Sequence, residues 1–189
     1  MKKLILTLFV LGVSAFGQAT APVDPQLPQA AQNFTSMPKY VLVGMGFDQT
    51  ATPMWHGVVS GVVPVYSRIG MYASATADVV PIVKYDPVSQ RNIYTFAPTL
   101  RAGVHKTLYP SPPSPDAKLT ITVGGDSGFS VSPGVVGGST NVNLALSMTV
   151  TAVYRINTHF GIFTAVRALY LASISGWNLV PEAGGVWIP

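Results

Sequence analysis

The chain of 189 residues has no cysteine, and that excludes disulfide scaffolds, thiolate zinc sites, c-type haem attachment and cysteine nucleophiles. Charge is scarce as well: Asp, Glu, Lys and Arg make up 10% of the residues, against about 25% in ordinary soluble domains. Glu182 is the single glutamate, so a paired-carboxylate acid and base would have to be built from scattered aspartates, none near another in sequence. Nowhere does an uninterrupted apolar run reach about 18 residues, so no segment reads as an ordinary membrane-spanning helix.

What remains is 48% apolar, with 18 glycines and 16 prolines. Low charge beside high apolar content suits a protein that shows much of its outside to lipid. If such a chain crosses a membrane without long helices, it must do so as a closed barrel, because only helices and closed barrels satisfy their backbone polar groups in hydrocarbon. The formal charge of +4 includes Lys2 and Lys3; without them, nine basic residues face seven acidic ones. The nine stand singly (Lys39, Arg68, Lys84, Arg91, Arg101, Lys106, Lys118, Arg155, Arg167), and nucleic-acid binding wants a clustered basic face. No nucleic-acid partner is therefore expected.

Residues 1–17 have the form of a secretory signal peptide. Met1-Lys2-Lys3 is a positive start, Leu4 to Val13 an apolar stretch, and Ser14-Ala15-Phe16-Gly17 a small-residue cleavage site. The apolar stretch is about half the ~20 residues of a spanning helix, so cleavage after Gly17 is expected rather than anchoring. Without a cysteine at the site, a lipid anchor is excluded. Residues 18–38 are rich in Pro, Gln and Ala with no period, which reads as a disordered leader. Residues 39–189 are left as one domain.

The strongest signal lies in Asn141 to Arg155. Val142, Leu144, Leu146, Met148, Val150, Ala152 and Tyr154 occupy every even position, while the odd positions are mostly polar or small. A period of two held this long is an amphipathic strand. Strands of soluble domains usually run about 5–6 residues, whereas tilted membrane strands need about 9–11. The segments from Ile69 to Val79 and from Tyr94 to Val104 repeat the pattern, with Pro98 a break on the apolar face of the second. Phe160 to Ala172 alternates less cleanly. Strands are expected near 39–48, 54–64, 68–80, 92–108, 118–131, 141–155, 159–173 and 177–188, an even number as single-chain barrels require. Residues 156–159 form a tight polar turn, whereas Pro81 to Asn92 and Gly134 to Thr140 are expected as longer outer loops. The proline-rich connection from Tyr109 to Lys118 is long for an inner turn.

The signal peptide, the long alternating strands and the turn Tyr154-Arg155-Ile156-Asn157-Thr158-His159-Phe160 together resemble the small eight-stranded outer-membrane barrel proteins of bacteria. The resemblance spans roughly residues 39–188 and is one of pattern. It implies an all-β, closed, antiparallel up-and-down transmembrane β-barrel in the outer membrane of a Gram-negative-type envelope. Its partners would be outer-membrane lipid and the barrel assembly machinery. Such proteins often end in an aromatic residue, and here the chain departs from that habit, ending Gly185-Val186-Trp187-Ile188-Pro189.

Other motifs carry less. Gly125-Asp126-Ser127-Gly128 matches the nucleophile motif of chymotrypsin-like proteases, and His56, Asp78 and Ser127 follow that family's chain order. A triad is recognised by geometry, however, and a flexible bend from Gly124 to Gly128, in or beside the fifth strand, explains the glycines more simply. His56, His105 and His159 lack metal-ligand spacing and read as solvated or interfacial. In the expected register Asp78, Arg101, Arg155 and Arg167 all point into the lumen, where buried charges must pair. They are the candidate lumen network; no catalytic residue, metal or cofactor is expected. The function implied is structural or surface-interacting, without catalysis. The alternative is a soluble secreted or periplasmic barrel that binds an apolar ligand inside. Alternation alone does not say which face is inside.

Overall fold

The computed structural model describes residues 37–48, 54–66, 69–86, 89–132, 140–172 and 176–189. The expected signal peptide and the leader up to residue 36 lie outside the described residues. Alternating residues become eight strands: β1 Tyr40–Asp48, β2 Met54–Tyr66, β3 Met71–Asp86, β4 Arg91–Tyr109, β5 Leu119–Ser132, β6 Asn141–Arg155, β7 Phe160–Leu171 and β8 Gly176–Trp187. Each pairs antiparallel with the next, and β1 pairs with β8, so the sheet closes in simple up-and-down order. Closure removes the free edges that an open sheet of such apolar strands would present.

The alternation also resolves into inside and outside. On β6, Val142, Leu144, Met148 and Val150 are 48–69% exposed, while Ser147, Thr149 and Thr151 are buried. The apolar faces therefore point outward and the polar faces point into the lumen. This inverts the arrangement of a water-soluble barrel.

Three expectations change. The stretch from Pro81 to Asn92 is not a loop: β3 runs to Asp86 and β4 starts at Arg91, paired from Val79↔Pro98 to Asp86↔Arg91. β2 leaves β3 after Val58↔Asp78, and β5 leaves β4 after Thr99↔Ser130, so among the described residues this outer hairpin has a paired strand on neither flank. Pro81 and Pro98 both fall there, where each strand is paired on one side only and a residue without an N–H is tolerated. The segment from Gly124 to Gly128 is not a bend; it continues the β5 ladder, from Gly124↔His105 to Gly128↔Arg101. β3 starts at Met71 rather than 68, because Gly70 turns the chain with φ +66°, and its carbonyl accepts from the Thr107 amide at 2.8 Å.

At the end of the barrel that holds Met37 and Pro189, the remaining connections are tied down. In the 156–159 turn, Asn157 Oδ1 accepts from the amides of His159 and Phe160, both at 2.8 Å. The proline-rich connection is held by the Arg155 amide, which donates to the Lys118 carbonyl at 2.7 Å.

The interior is layered. At the Met37 end, Met37, Tyr40, Leu42, Tyr72, Phe163 and Ile188 form one buried apolar cluster, with the Tyr40 and Tyr72 rings 6.0 Å apart. At the opposite end, Val80 and Ile82 of β3 and Ala97 of β4 are 0–2% exposed and pack on Ala145, Leu169, Leu171 and Val180. Those partners lie on β6, β7 and β8, so the outer hairpin leans across the mouth of the barrel. Between the two apolar layers lies a polar belt.

Candidate functional site: the polar belt of the lumen

The belt is built by inward positions of β3 to β8. Asp78 on β3 accepts from Arg101 Nη2 on the adjacent β4 at 2.5 Å, with both side chains fully buried. The same oxygen, Oδ2, accepts from Arg167 Nη1 on β7 at 3.1 Å. β3 and β7 are not neighbours, so this pair crosses the lumen and links residues 89 apart in sequence. Arg167 is then fixed on its far side by Glu182 of β8 at 3.2 Å and by Thr149 Oγ1 of β6 at 3.3 Å. One guanidinium thus ties four strands, using the planar fork that an ammonium lacks.

A second group centres on Asp126 of β5. Its Oδ1 accepts from Ser74 Oγ at 2.5 Å and lies 3.1 Å from His105 Nε2, and its Oδ2 accepts from Ser147 Oγ at 3.1 Å. Ser74 is on β3 and reaches Asp126 across β4 because Gly103 stands between them. A Cβ at Gly103 would come within 2.6 Å of Asp126 Oδ1 and 2.0 Å of the Gly125 carbonyl oxygen. A small hydroxyl, a missing side chain and a carboxylate therefore form one unit across three strands.

Of the four residues expected in the lumen network, the fold brings Asp78, Arg101 and Arg167 together. Arg155 is not among them. It sits at the last position of β6, half-buried, and its Nη1 donates to the Pro115 carbonyl in the proline-rich connection. Parity along the strand pointed it inward, but its height puts it at the rim. Glu182, Asp126, Ser74, Ser147 and His105 join the belt without having been expected there. His56 and His105 are 4% and 8% exposed, which corrects their reading as solvated or interfacial; His159 is exposed in its turn. The protease-like trio does not assemble. Ser127 faces outward on β5, on the other side of the wall from the buried His56 and Asp78.

This geometry holds walls together and leaves little space. A cavity of about 40 Å³, lined in part by His105, Asp126, Thr149, Arg167 and Glu182, has room for a few waters, whereas ligand pockets run to about 300–1,000 Å³. Among the described residues, no group of three or more His, Asp or Glu side chains is arranged to hold a metal ion.

No family model and no curated protein matches the chain. Among solved structures it is similar to Neisserial surface protein A, at 9% identity and a TM-score of 0.53 over 81% of this chain and 96% of that one. It is also similar to Ail, the attachment invasion locus protein of Yersinia pestis, crystallised with the heparin analogue sucrose octasulfate. There the identity is 8% and the TM-score 0.46, over 80% of this chain and 98% of that one. What the chain shares with Neisserial surface protein A is a fold: the closed, up-and-down, eight-stranded barrel of small outer-membrane proteins.

Proposed function

We propose that the chain is an outer-membrane β-barrel protein of a Gram-negative-type envelope, exported by residues 1–17 and sealed rather than conducting. Its role is structural or surface-interacting, without catalysis, and its partners are outer-membrane lipid and the barrel assembly machinery. One observation carries the reading: the outward apolar band is bounded at both ends by aromatic residues. Tyr66, Tyr109, Tyr154, Phe160 and Trp187, all 47–57% exposed, ring the end with Met37 and Pro189; Trp55, Tyr94, Phe96 and Trp177, all 49–62% exposed, ring the other. On β8 the two girdles are ten residues apart, from Trp177 to Trp187. At about 3.4 Å per residue that is about 34 Å along the strand, or about 26 Å across a membrane for a tilt of about 40°. The apolar band of outer-membrane barrels is about 25 Å tall.

The soluble, ligand-binding alternative required the apolar faces to point inward, and they point outward. Conduction is opposed by the two apolar layers and by the Asp78–Arg167 pair that crosses the lumen between them. Eight strands leave an interior just wide enough for side chains to fill.

Cell fractionation with gel electrophoresis tests this. The protein is expected in the outer-membrane fraction, migrating differently before and after boiling, and giving no current steps in a planar bilayer. Recovery in the soluble fraction without a mobility shift would overturn the membrane assignment. Discrete current steps would overturn the sealed lumen alone.

A further inference from the structure

Between the girdles, the outward positions of the described residues are apolar or glycine, apart from the hydroxyls of Ser127 and Thr164 and one charged residue, Lys106. Lys106 lies on the outer face of β4, flanked along the strand by Val104 and Leu108, themselves 56% and 53% exposed. Across the sheet it sits between Met71 of β3 and Val123 of β5. It pairs with no carboxylate among the described residues, whose ion pairs all lie in the lumen. A cation on a lipid-facing wall is costly unless its head reaches charge or water.

The register shows where that head can go. The row through Lys106 runs Val123, Lys106, Met71, Tyr66, and so meets the aromatic girdle at the end with Met37 and Pro189. From this height a four-carbon stem lying on Met71 and Leu108 carries the ammonium to headgroup level. The same end of the barrel gathers Lys39, Lys118 and Arg155, against Asp116 as its one acidic residue among those described. These basic residues are scattered in sequence and brought to one rim by up-and-down topology. Such a rim attracts negative headgroups.

We propose that Lys106 holds the phosphate of an anionic phospholipid in the leaflet at the Met37 and Pro189 end of the barrel. The inference rests on the membrane reading above and names the lipid chemistry of that site. Lys118 and Lys39 supply the surrounding positive field, while Lys106 makes the contact because, among the described basic residues, it alone stands on the lipid-facing wall.

The test uses the full chain as recovered from cells, placed in nanodiscs of equal phosphatidylcholine and phosphatidylglycerol. Lipid retained by the protein is then measured by native mass spectrometry. The ratio of retained phosphatidylglycerol to retained phosphatidylcholine is expected to be about fivefold above the bulk ratio, the effect of one cationic contact near a membrane surface. Lys106→Gln should bring the ratio back to bulk, Lys106→Arg should keep the enrichment, and Arg91→Gln at the opposite end should leave it unchanged. Added inorganic phosphate should not displace the lipid. No enrichment in the unaltered chain, or equal enrichment in Lys106→Gln, would overturn the proposal. Displacement by inorganic phosphate would overturn it too, pointing to an ion site and not a lipid site. The unheated gel shift, run on the same samples, separates the two readings. A chain that inserts without enriching the lipid defeats this inference alone, and one that fails to insert defeats the membrane reading with it.

Discussion

Replacing Asp78 with leucine is expected to lower the unfolding free energy of the barrel by about 3–5 kcal/mol, the usual consequence of removing one partner from a buried ion pair. The carboxylate takes both Arg101 and Arg167 on one oxygen, and all three side chains are buried. Without it, Arg101 loses its ion-pair partner, while Arg167 still has Glu182. The damage should therefore fall mainly on Arg101. The double variant Asp78→Leu with Arg101→Met removes the stranded charge and should recover part of the loss, giving strong non-additivity between two residues in contact. Urea titration of the folded, heat-modifiable band in vesicles measures both. If Asp78→Leu unfolds at the urea concentration of the unaltered chain, the belt does not hold the walls together.

The second large effect distinguishes lipid from water at the outer wall. Met148 and Ile156 are nearly equally exposed, at 62% and 64%. Met148 is near the middle of β6, and Ile156 lies just beyond its end, in the turn to β7. For a barrel in water, arginine at either place would change stability little, within about 0.5 kcal/mol. In a bilayer, Met148→Arg should cost about 2–4 kcal/mol, while Ile156→Arg at the interface should cost about 0–1 kcal/mol. Refolding yields and urea midpoints of the two variants in vesicles decide between these cases. Equal, small effects would place both side chains in water.

Much of the fold was legible in the sequence because the period-two signal is local. It located all eight strands and gave β6 its full extent, Asn141–Arg155. The β4 arm of the outer hairpin was expected from residue 92, and only its β3 arm, from Pro81 to Asp86, was read as loop. The tolerance of Pro81 and Pro98 depends on β2 and β5 having already left the sheet, which is a property of register and not of the segment itself. The inner apolar layers were missed for a related reason. Leu42, Phe163, Leu169 and Leu171 fall on the face that is polar in mid-strand. Their trace in the sequence is the weak alternation of β7, where both faces turn apolar near the strand ends.

The belt was half legible. Parity tells which face a residue is on, and it put Asp78, Arg101 and Arg167 inside. Parity does not give height along the barrel, so Arg155 was grouped with them although it belongs to the rim. Which inward groups meet depends on closure, as with Asp78 and Arg167 on non-adjacent strands. Asp126 was read through its neighbours in the Gly125-Asp126-Ser127-Gly128 motif, whereas its role comes from Ser74, His105 and Ser147, each at least 21 residues away. A glycine at position 103 was the one local hint that something must pass between β3 and β5.

A barrel standing in a bilayer with its apolar wall outward would hold its aromatic girdles at the two interfaces. The three tryptophans of the chain, Trp55, Trp177 and Trp187, all lie in those girdles and are 48–62% exposed. Their fluorescence, measured in vesicles whose lipids carry bromine at defined depths along the acyl chain, tests that placement directly. The account predicts strong quenching by bromines near the headgroups and weak quenching by bromines at the bilayer centre. No quenching at any depth, or quenching strongest at the centre, would contradict it.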